Sequence, residues 1–81
     1  MYYYVYLLKS IQNPDAVYVG YTANLKQRFE EHNLGKSPRT TKYRPWRLEV
    51  CCAFQEKAKA ISFEKYLKSG SGRAFLSKFF R

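Results

Sequence analysis

Acidic residues are scarce in this chain. Six Asp and Glu stand against fifteen Lys and Arg, for a formal charge of +9. That excess is beyond the ~2–8 units that serve solubility in a small domain. It directs the chain toward phosphate-bearing partners, nucleic acid first and anionic membrane second. Cysteine is almost missing. The two present, Cys51 and Cys52, are neighbours, so they cannot staple distant parts of the chain, and no metal-type cysteine spacing occurs. With a single histidine, His32, a zinc site is not expected. The thiol usage fits a reducing, cytoplasmic setting. No export signal opens the sequence, and no apolar run approaches the ~20 residues that span a bilayer. A soluble cytoplasmic protein with no membrane partner is the expectation. Repeats, linkers and low-complexity tracts are lacking as well, so residues 1–81 read as one domain.

Aromatic side chains are what the sequence has in quantity, at 19%. A chain of 81 residues buries only about 60–65% of its unfolded surface, and large rings compensate for a small core. Tyr2 to Leu8 reads as a first strand, built of aromatic, β-branched and leucine residues. Alternation sends Tyr2, Tyr4, Tyr6 and Leu8 to one face and Tyr3, Val5 and Leu7 to the other. Both faces are apolar, which predicts a central strand covered on each side. Gln12-Asn13-Pro14-Asp15 is turn chemistry, leading by an antiparallel hairpin into a second strand from Ala16 to Tyr21. Tyr6 and Tyr18 then share a face. Gly20 interrupts that strand and marks a bulge or a close backbone approach.

Asn24 and Gln27 are spaced as a capping box for the next helix. Leu25 and Phe29 form its core-facing row, while Arg28 and His32 sit one above the other on the adjoining row. Gly35 is placed to end the helix in the left-handed conformation. The segment from Lys36 to Arg47 reads as an ordered loop carrying Lys36, Arg39, Lys42, Arg44 and Arg47 and no acid. Trp46 to Phe54 is a third strand, with Leu48, Val50 and Cys52 alternating against Arg47, Glu49 and Cys51. A second helix spans Gln55 to Lys68 and stops at Ser69-Gly70. Its apolar positions Ala58, Ile61, Phe63, Tyr66 and Leu67 spread around the axis. Ser71 is positioned to cap a last helix through Phe80, with Phe75, Leu76 and Phe79 as its stripe. The order β-β-α-β-α-α gives an α+β domain around a three-stranded, mostly antiparallel sheet.

Taken singly, the polar candidates have ordinary explanations. A strand tyrosine usually packs, Arg28 has Glu30 and Glu31 at hand for pairing, His32 near a helix end suits the dipole, and Glu64 passes for a half-exposed acid. Taken jointly they form a pattern. Tyr4-Val5-Tyr6, Tyr18-Val19-Gly20, Arg28, His32 and the later Glu64 resemble the GIY-YIG nuclease domain over nearly the whole chain. The stretches Val5-Tyr6-Leu7-Leu8-Lys9-Ser10, Tyr18-Val19-Gly20-Tyr21-Thr22 and Glu64-Lys65-Tyr66-Leu67-Lys68-Ser69-Gly70 look like those of its small stand-alone members. Tyr4 replaces the glycine of the first motif, and Val5 and Val19 replace isoleucines. A lysine that some relatives carry shortly after the second motif is absent, Tyr21 standing there.

The resemblance implies a metal-dependent DNA endonuclease of repair or recombination, selective for DNA structure rather than sequence, with branched or flapped DNA among its substrates. It implies one Mg²⁺ (or Mn²⁺) per active site on Glu64, whose hard carboxylate oxygens suit that ion. Arg28 would hold the phosphate. Tyr6 would be the first choice of general base, its phenol pKa lowered from ~10 by the charges around it, with Tyr18 or His32 relaying the proton. The loop cations Lys36, Arg39, Lys42, Arg44 and Arg47 would track backbone phosphates with Lys65, Lys68 and Arg73, in a C-terminal run that continues to Lys78 and Arg81. Two competing readings are a nucleic-acid-binding module that stacks bases on its tyrosine-rich sheet and an accessory subunit. The latter would dock through aromatics near Trp46 or Phe79-Phe80.

Overall fold

Strand β1 (Tyr3–Ser10) runs between β2 (Val17–Thr22) and β3 (Trp46–Phe54), antiparallel to both. The computed structural model describes residues 1–80, so Arg81 lies outside the described residues. Helix α1 (Leu25–Asn33) follows the hairpin, a short 3-10 turn (Thr41–Tyr43) interrupts the basic loop, and α2 (Lys57–Leu67) and α3 (Gly70–Phe80) close the chain. The α+β class and element order are those expected.

The central strand is covered on both faces. Val5 and Leu7 join Val19, Ala60, Leu67 and Leu76 in a core under α2 and α3. Tyr6, Leu8 and Trp46 form a second core, with Leu25 and Phe29 of α1 and Tyr18 of β2 packed against it. Tyr6 is buried at the centre of the sheet, while Tyr3, Tyr4, Tyr18 and Tyr21 are partly exposed. Strand β1 extends past Leu8 because Lys9 pairs with Val17 and Arg47, and Ser10 with Trp46.

Three expectations are corrected. Leu48 does not share a face with Val50 and Cys52. Leu7 pairs with Val50 but Leu8 pairs with Leu48, so Glu49 is an extra residue in a β-bulge. A one-residue insertion resets which side chains face which way, and Leu48 moves to the α1 side. The second correction concerns α3, which begins at Gly70 with Ser69 as its cap, the Ser69 hydroxyl accepting from Gly72 N–H at 3.3 Å. Gly72 carries no side chain because a Cβ there would lie 1.9 Å from the Tyr66 carbonyl oxygen, so α3 starts directly against the end of α2. Counting turns from that start, Leu76 and Phe80 face the core and Phe79 is 60% exposed. On α2, likewise, Ala60 and Leu67 are the buried positions, while Ala58 and Tyr66 face outward. Third, Trp46 is only 3% exposed and offers no docking surface. Its indole N–H donates to the Thr40 carbonyl at 2.8 Å.

Helix α1 has the ends its sequence asks for. The Asn24 side chain accepts from Gln27 N–H at 3.2 Å, and its amide donates to the Gln27 side chain at 3.1 Å. At the other end Gly35 takes φ +79°. Lys36 N–H reaches the Glu31 carbonyl and Gly35 N–H the His32 carbonyl, the bond pair of a Schellman motif. Asn33 then grips the Trp46 backbone on both sides, donating to its carbonyl and accepting its N–H. These bonds fix the exit of the basic loop beneath His32. None of the helices among the described residues is long and apolar enough to cross a membrane.

Candidate active site

Gly20 is opposite Tyr6 in the β1–β2 ladder. A Cβ on Gly20 would come within 2.3 Å of the Tyr6 hydroxyl and 2.9 Å of the Tyr18 ring. The glycine therefore marks a close approach, not a bulge: its missing side chain is the space into which the Tyr6 phenol folds. That phenol points at α1, where His32 is 0% exposed. Tyr6 Oη and His32 Nε2 are 2.8 Å apart. On the far side of the ring, His32 Nδ1 meets Thr40 Oγ1 at 2.7 Å.

The network assigns the protons. Thr40 Oγ1 donates to the Ser37 carbonyl at 3.4 Å, so it accepts from His32 Nδ1–H. The Nε2 lone pair is left to accept from the Tyr6 hydroxyl. Burial, and next the Arg28 charge, push the His32 pKa down, while Glu31 opposes them, so the imidazole is neutral near pH 7. This is a buried, fully hydrogen-bonded ring rather than a cation answering a helix dipole.

Tyr6 is 2% exposed, and burial pushes its pKa up to about 12, with Tyr18 and Glu64 adding to the rise. Arg28 acts in the opposite sense, as a charge and as a hydrogen-bond donor. The direction is the reverse of the lowering expected from the basic sequence, because desolvation of the phenolate outweighs one part-exposed guanidinium. The electrostatic neighbours of the Tyr6 oxygen are nonetheless Tyr18, Arg28 and Glu64, three of the residues singled out in the sequence. Tyr18 also lies against His32, with ring centroids 5.1 Å apart. Tyr6, Tyr18, Arg28, His32 and Glu64, drawn from β1, β2, α1 and α2, thus converge on one place.

Two of the five carry ion pairs. Arg28 Nη1 meets Glu31 Oε1 at 3.1 Å, and the Lys68 ammonium meets Glu64 Oε2 at 3.1 Å while lying 5.8 Å from the Tyr18 ring centroid. Both pairs are partly open to solvent, so each is weakly held and exchangeable for a phosphate or a cation. Among the described residues no group of three or more His, Cys, Asp and Glu converges, so a closed protein cage for a metal is not built. One part-exposed carboxylate does suit Mg²⁺ or Mn²⁺, which keep waters and complete their shell with phosphate oxygens. Glu64 alone thus offers the hard-oxygen donor chemistry that such a cation accepts.

The expected phosphate-tracking residues divide. Arg39, Lys68 and Arg73 line one groove of about 700 Å³ together with Tyr18. Lys36, Lys42, Arg44, Arg47 and Lys65 are not among its lining residues. Arg44 lays its guanidinium over Gly35, Arg47 pairs with Glu49 at 3.3 Å, Lys42 sits over the Tyr43 ring, and Lys36 and Lys65 are exposed. Thr40 is the contributor that sequence reasoning missed. A threonine in a polar loop carries no signal of its own, and only the fold brings it to His32.

The GIY-YIG catalytic domain profile matches residues 2–77. The chain is 36% identical over 72 residues to a UPF0213 protein of Streptococcus pyogenes, covering 88% of this chain and 76% of that protein. It is 37% identical over 65 residues to a UPF0213 protein of Vibrio campbellii, covering 79% of this chain and 61% of that one. Against the structure-specific endonuclease subunit SLX1 of Debaryomyces hansenii it is 37% identical over 75 residues, covering 83% of this chain but 21% of that larger protein. The solution NMR structure of a UPF0213 protein from Bacillus halodurans superposes with a TM-score of 0.57 at 32% identity, covering 96% of this chain and 84% of that one.

Proposed function

The chain belongs to the GIY-YIG catalytic domain family, and from that premise we propose that it is a metal-dependent endonuclease hydrolysing DNA phosphodiester bonds. We infer selectivity for DNA structure rather than sequence, and a place in repair or recombination. The observation that carries the reading is the hydrogen-bonded pair of Tyr6 and neutral His32 with Arg28 and Glu64 acting on the same phenol oxygen. A nucleic-acid module without catalysis gains nothing from an acid at that place, since Glu64 occupies Lys68, a cation otherwise free for phosphate.

In the mechanism, a water lies at the rim of the Tyr6 phenol and attacks phosphorus. With a pKa of about 12, Tyr6 is protonated at rest, so it takes the water's proton only as it passes its own to His32 Nε2. The O–P bond to the water oxygen forms, the leaving oxygen departs with the bonding pair and takes a proton from solvent, and His32 Nε2 holds the proton handed on by Tyr6. Thr40 keeps Nε2 free for that step by accepting Nδ1–H. Arg28 releases Glu31 and donates to the non-bridging oxygens, where negative charge builds. Tyr18 forms the outer wall beside the water. A cation on Glu64 supplies, when bound, stabilisation of the phosphoryl and leaving oxygens. Lys68 gives up Glu64 and is freed toward the groove.

The test is cleavage of linear, single-stranded, flapped and four-way DNA with Mg²⁺ or Mn²⁺, and with chelator. Wild type is compared with Glu64→Gln and Arg28→Ala, with binding measured on the same samples. Cleavage of at least one substrate, lost with chelator and in Glu64→Gln while Glu64→Gln still binds, is the expected result. No cleavage of any substrate, or cleavage unaffected by Glu64→Gln, sinks the reading.

A further inference from the structure

We infer that Trp46 and Asn33 are positioning residues of the proton relay: they hold Thr40 against His32 Nδ1 and thereby keep Nε2 open to the Tyr6 hydroxyl. The inference rests on the nuclease reading for what the open Nε2 does, while the hydrogen bonds that fix it belong to the fold. A neutral imidazole has two tautomers, and the partner of one ring nitrogen decides the state of the other. Thr40 is that partner, so whatever fixes Thr40 selects the tautomer.

Thr40 lies in a loop yet is fully buried, so the protein, not solvent, orients it. Its N–H donates to the Ser37 carbonyl at 3.1 Å, and its own carbonyl accepts the Trp46 indole N–H at 2.8 Å. With the backbone held on both sides, the hydroxyl is aimed through one stiff β-branched χ1 angle. The Ser37 carbonyl is shared, because it also accepts from Thr41 N–H at 3.1 Å and from the Thr41 hydroxyl at 2.8 Å. Both are closer than the 3.4 Å to Thr40 Oγ1. The indole bond is therefore the firmer hold on Thr40.

Trp46 is held in its turn. The Asn33 side chain grips its backbone on both sides, and Asn33 follows His32 in the last turn of α1. The Trp46 ring shares a core with Tyr6 and Leu8. Bonds and chain thus close a circuit, from His32 through Asn33, Trp46 and Thr40 back to the imidazole. Trp46 packs in one core with the relay's proton donor and bonds the residue that orients its acceptor. A shift of Trp46 disturbs both.

The experiment reads the tautomer directly, by ¹⁵N NMR of the imidazole at about pH 8, where an ordinary histidine is neutral. His32 is the single histidine and Trp46 the single tryptophan of the chain, so one ring is observed and one indole is changed. Chemical synthesis of the full chain replaces Trp46 by β-(3-benzothienyl)alanine, which keeps the shape of the indole and puts sulfur in place of N–H. Asn33→Ala is the second change. Leu76→Ala, in the core on the opposite face of the sheet, controls for lost stability alone. The unaltered chain is expected to show Nδ1 protonated and Nε2 bare. Both changes should move the two ring shifts toward each other, the mark of mixed tautomers. Single-turnover cleavage should slow in proportion to the Nδ1–H fraction that remains, and Leu76→Ala should keep the original shifts. Shifts that stay put under the benzothienyl exchange overturn the role of Trp46, and under Asn33→Ala that of Asn33. A matching movement in Leu76→Ala, or Nε2–H in the unaltered chain, overturns the inference whole. Cleavage that keeps its full rate while the tautomers mix removes the tie to the relay. Mixed tautomers in the variants of a chain that cuts no substrate support the positioning while sinking the nuclease reading.

Discussion

Tyr6 Oη lies 2.8 Å from His32 Nε2, joining the middle of the central strand to the last turn of α1. The bond gives the phenol a fixed acceptor for its proton and gives the imidazole a fixed orientation. A tyrosine whose pKa stands near 12 is a poor base alone. Beside a neutral histidine it becomes a conduit.

Tyr6→Phe keeps the ring against Gly20 and removes only the hydroxyl. Cleavage should fall by about 10²–10⁴-fold, the usual worth of positioned proton transfer. Leaving Nε2 buried without a donor should cost about 1–3 kcal/mol, read from urea unfolding. Single-turnover rates of Tyr6→Phe and Tyr18→Phe decide the assignment: if Tyr6→Phe cuts at the wild-type rate and Tyr18→Phe does not, the base is Tyr18.

The depressed pKa of His32 has a defined consequence for acid. An unfolded histidine binds a proton near pH 6.5, while the folded ring resists until a lower pH. The unfolded state then holds more protons, so stability falls as pH drops below about 6.5 and through the folded value. Denaturant midpoints taken from about pH 8 to pH 5 should show this slope in wild type and a flatter one in His32→Gln. Equal slopes would remove His32 as its source.

Thr40 is a positioning residue, since it touches only the histidine. Thr40→Val leaves Nδ1–H without an acceptor, costing about 1–3 kcal/mol and letting the ring adopt the tautomer that blocks Nε2. Activity should drop by more than that stability loss explains, and Thr40→Ser, which restores the hydroxyl, should recover it. A Thr40→Ser variant as inactive as Thr40→Val would show that shape rather than hydrogen bonding matters.

Gly20→Ala places a methyl on the Tyr6 hydroxyl and the Tyr18 ring. Both rings sit in the packed α1-side core, so overpacking should cost about 1–3 kcal/mol. Displacing the phenol from His32 should bring cleavage down to the Tyr6→Phe level. A Gly20→Ala chain that retains wild-type turnover would contradict the close-approach role assigned to this glycine.

Local chemistry explains which parts were legible from sequence. The Asn24 cap, the Gly35 terminus and the two-sided apolar pattern of β1 act within a few residues, and all three are found as expected. The bulge at Glu49 was not legible, because alternation continues through it in the sequence and only pairing with β1 reveals the extra residue. The need for glycine at position 72 was not legible either, because it comes from the Tyr66 carbonyl on another helix. Within the site, the resemblance to the GIY-YIG domain singled out Tyr6, Tyr18, Arg28, His32 and Glu64, which taken one by one carry no such signal. The direction of the Tyr6 shift depends on burial, which composition does not encode, and Thr40 enters only through a loop folded back on His32.

That loop is closed at its base. Asn33 clasps the backbone of Trp46, so the residues between form a ring whose two ends meet outside the reacting centre. Among the described residues, Thr40 is the loop side chain that hydrogen-bonds into that centre, through His32. Such a ring is an exchangeable cassette: its length and charge can be rewritten between the Thr40 anchor and Pro45 while the hydrolytic machinery stays as built. Variation in DNA preference can accumulate there without the catalytic centre being rebuilt each time.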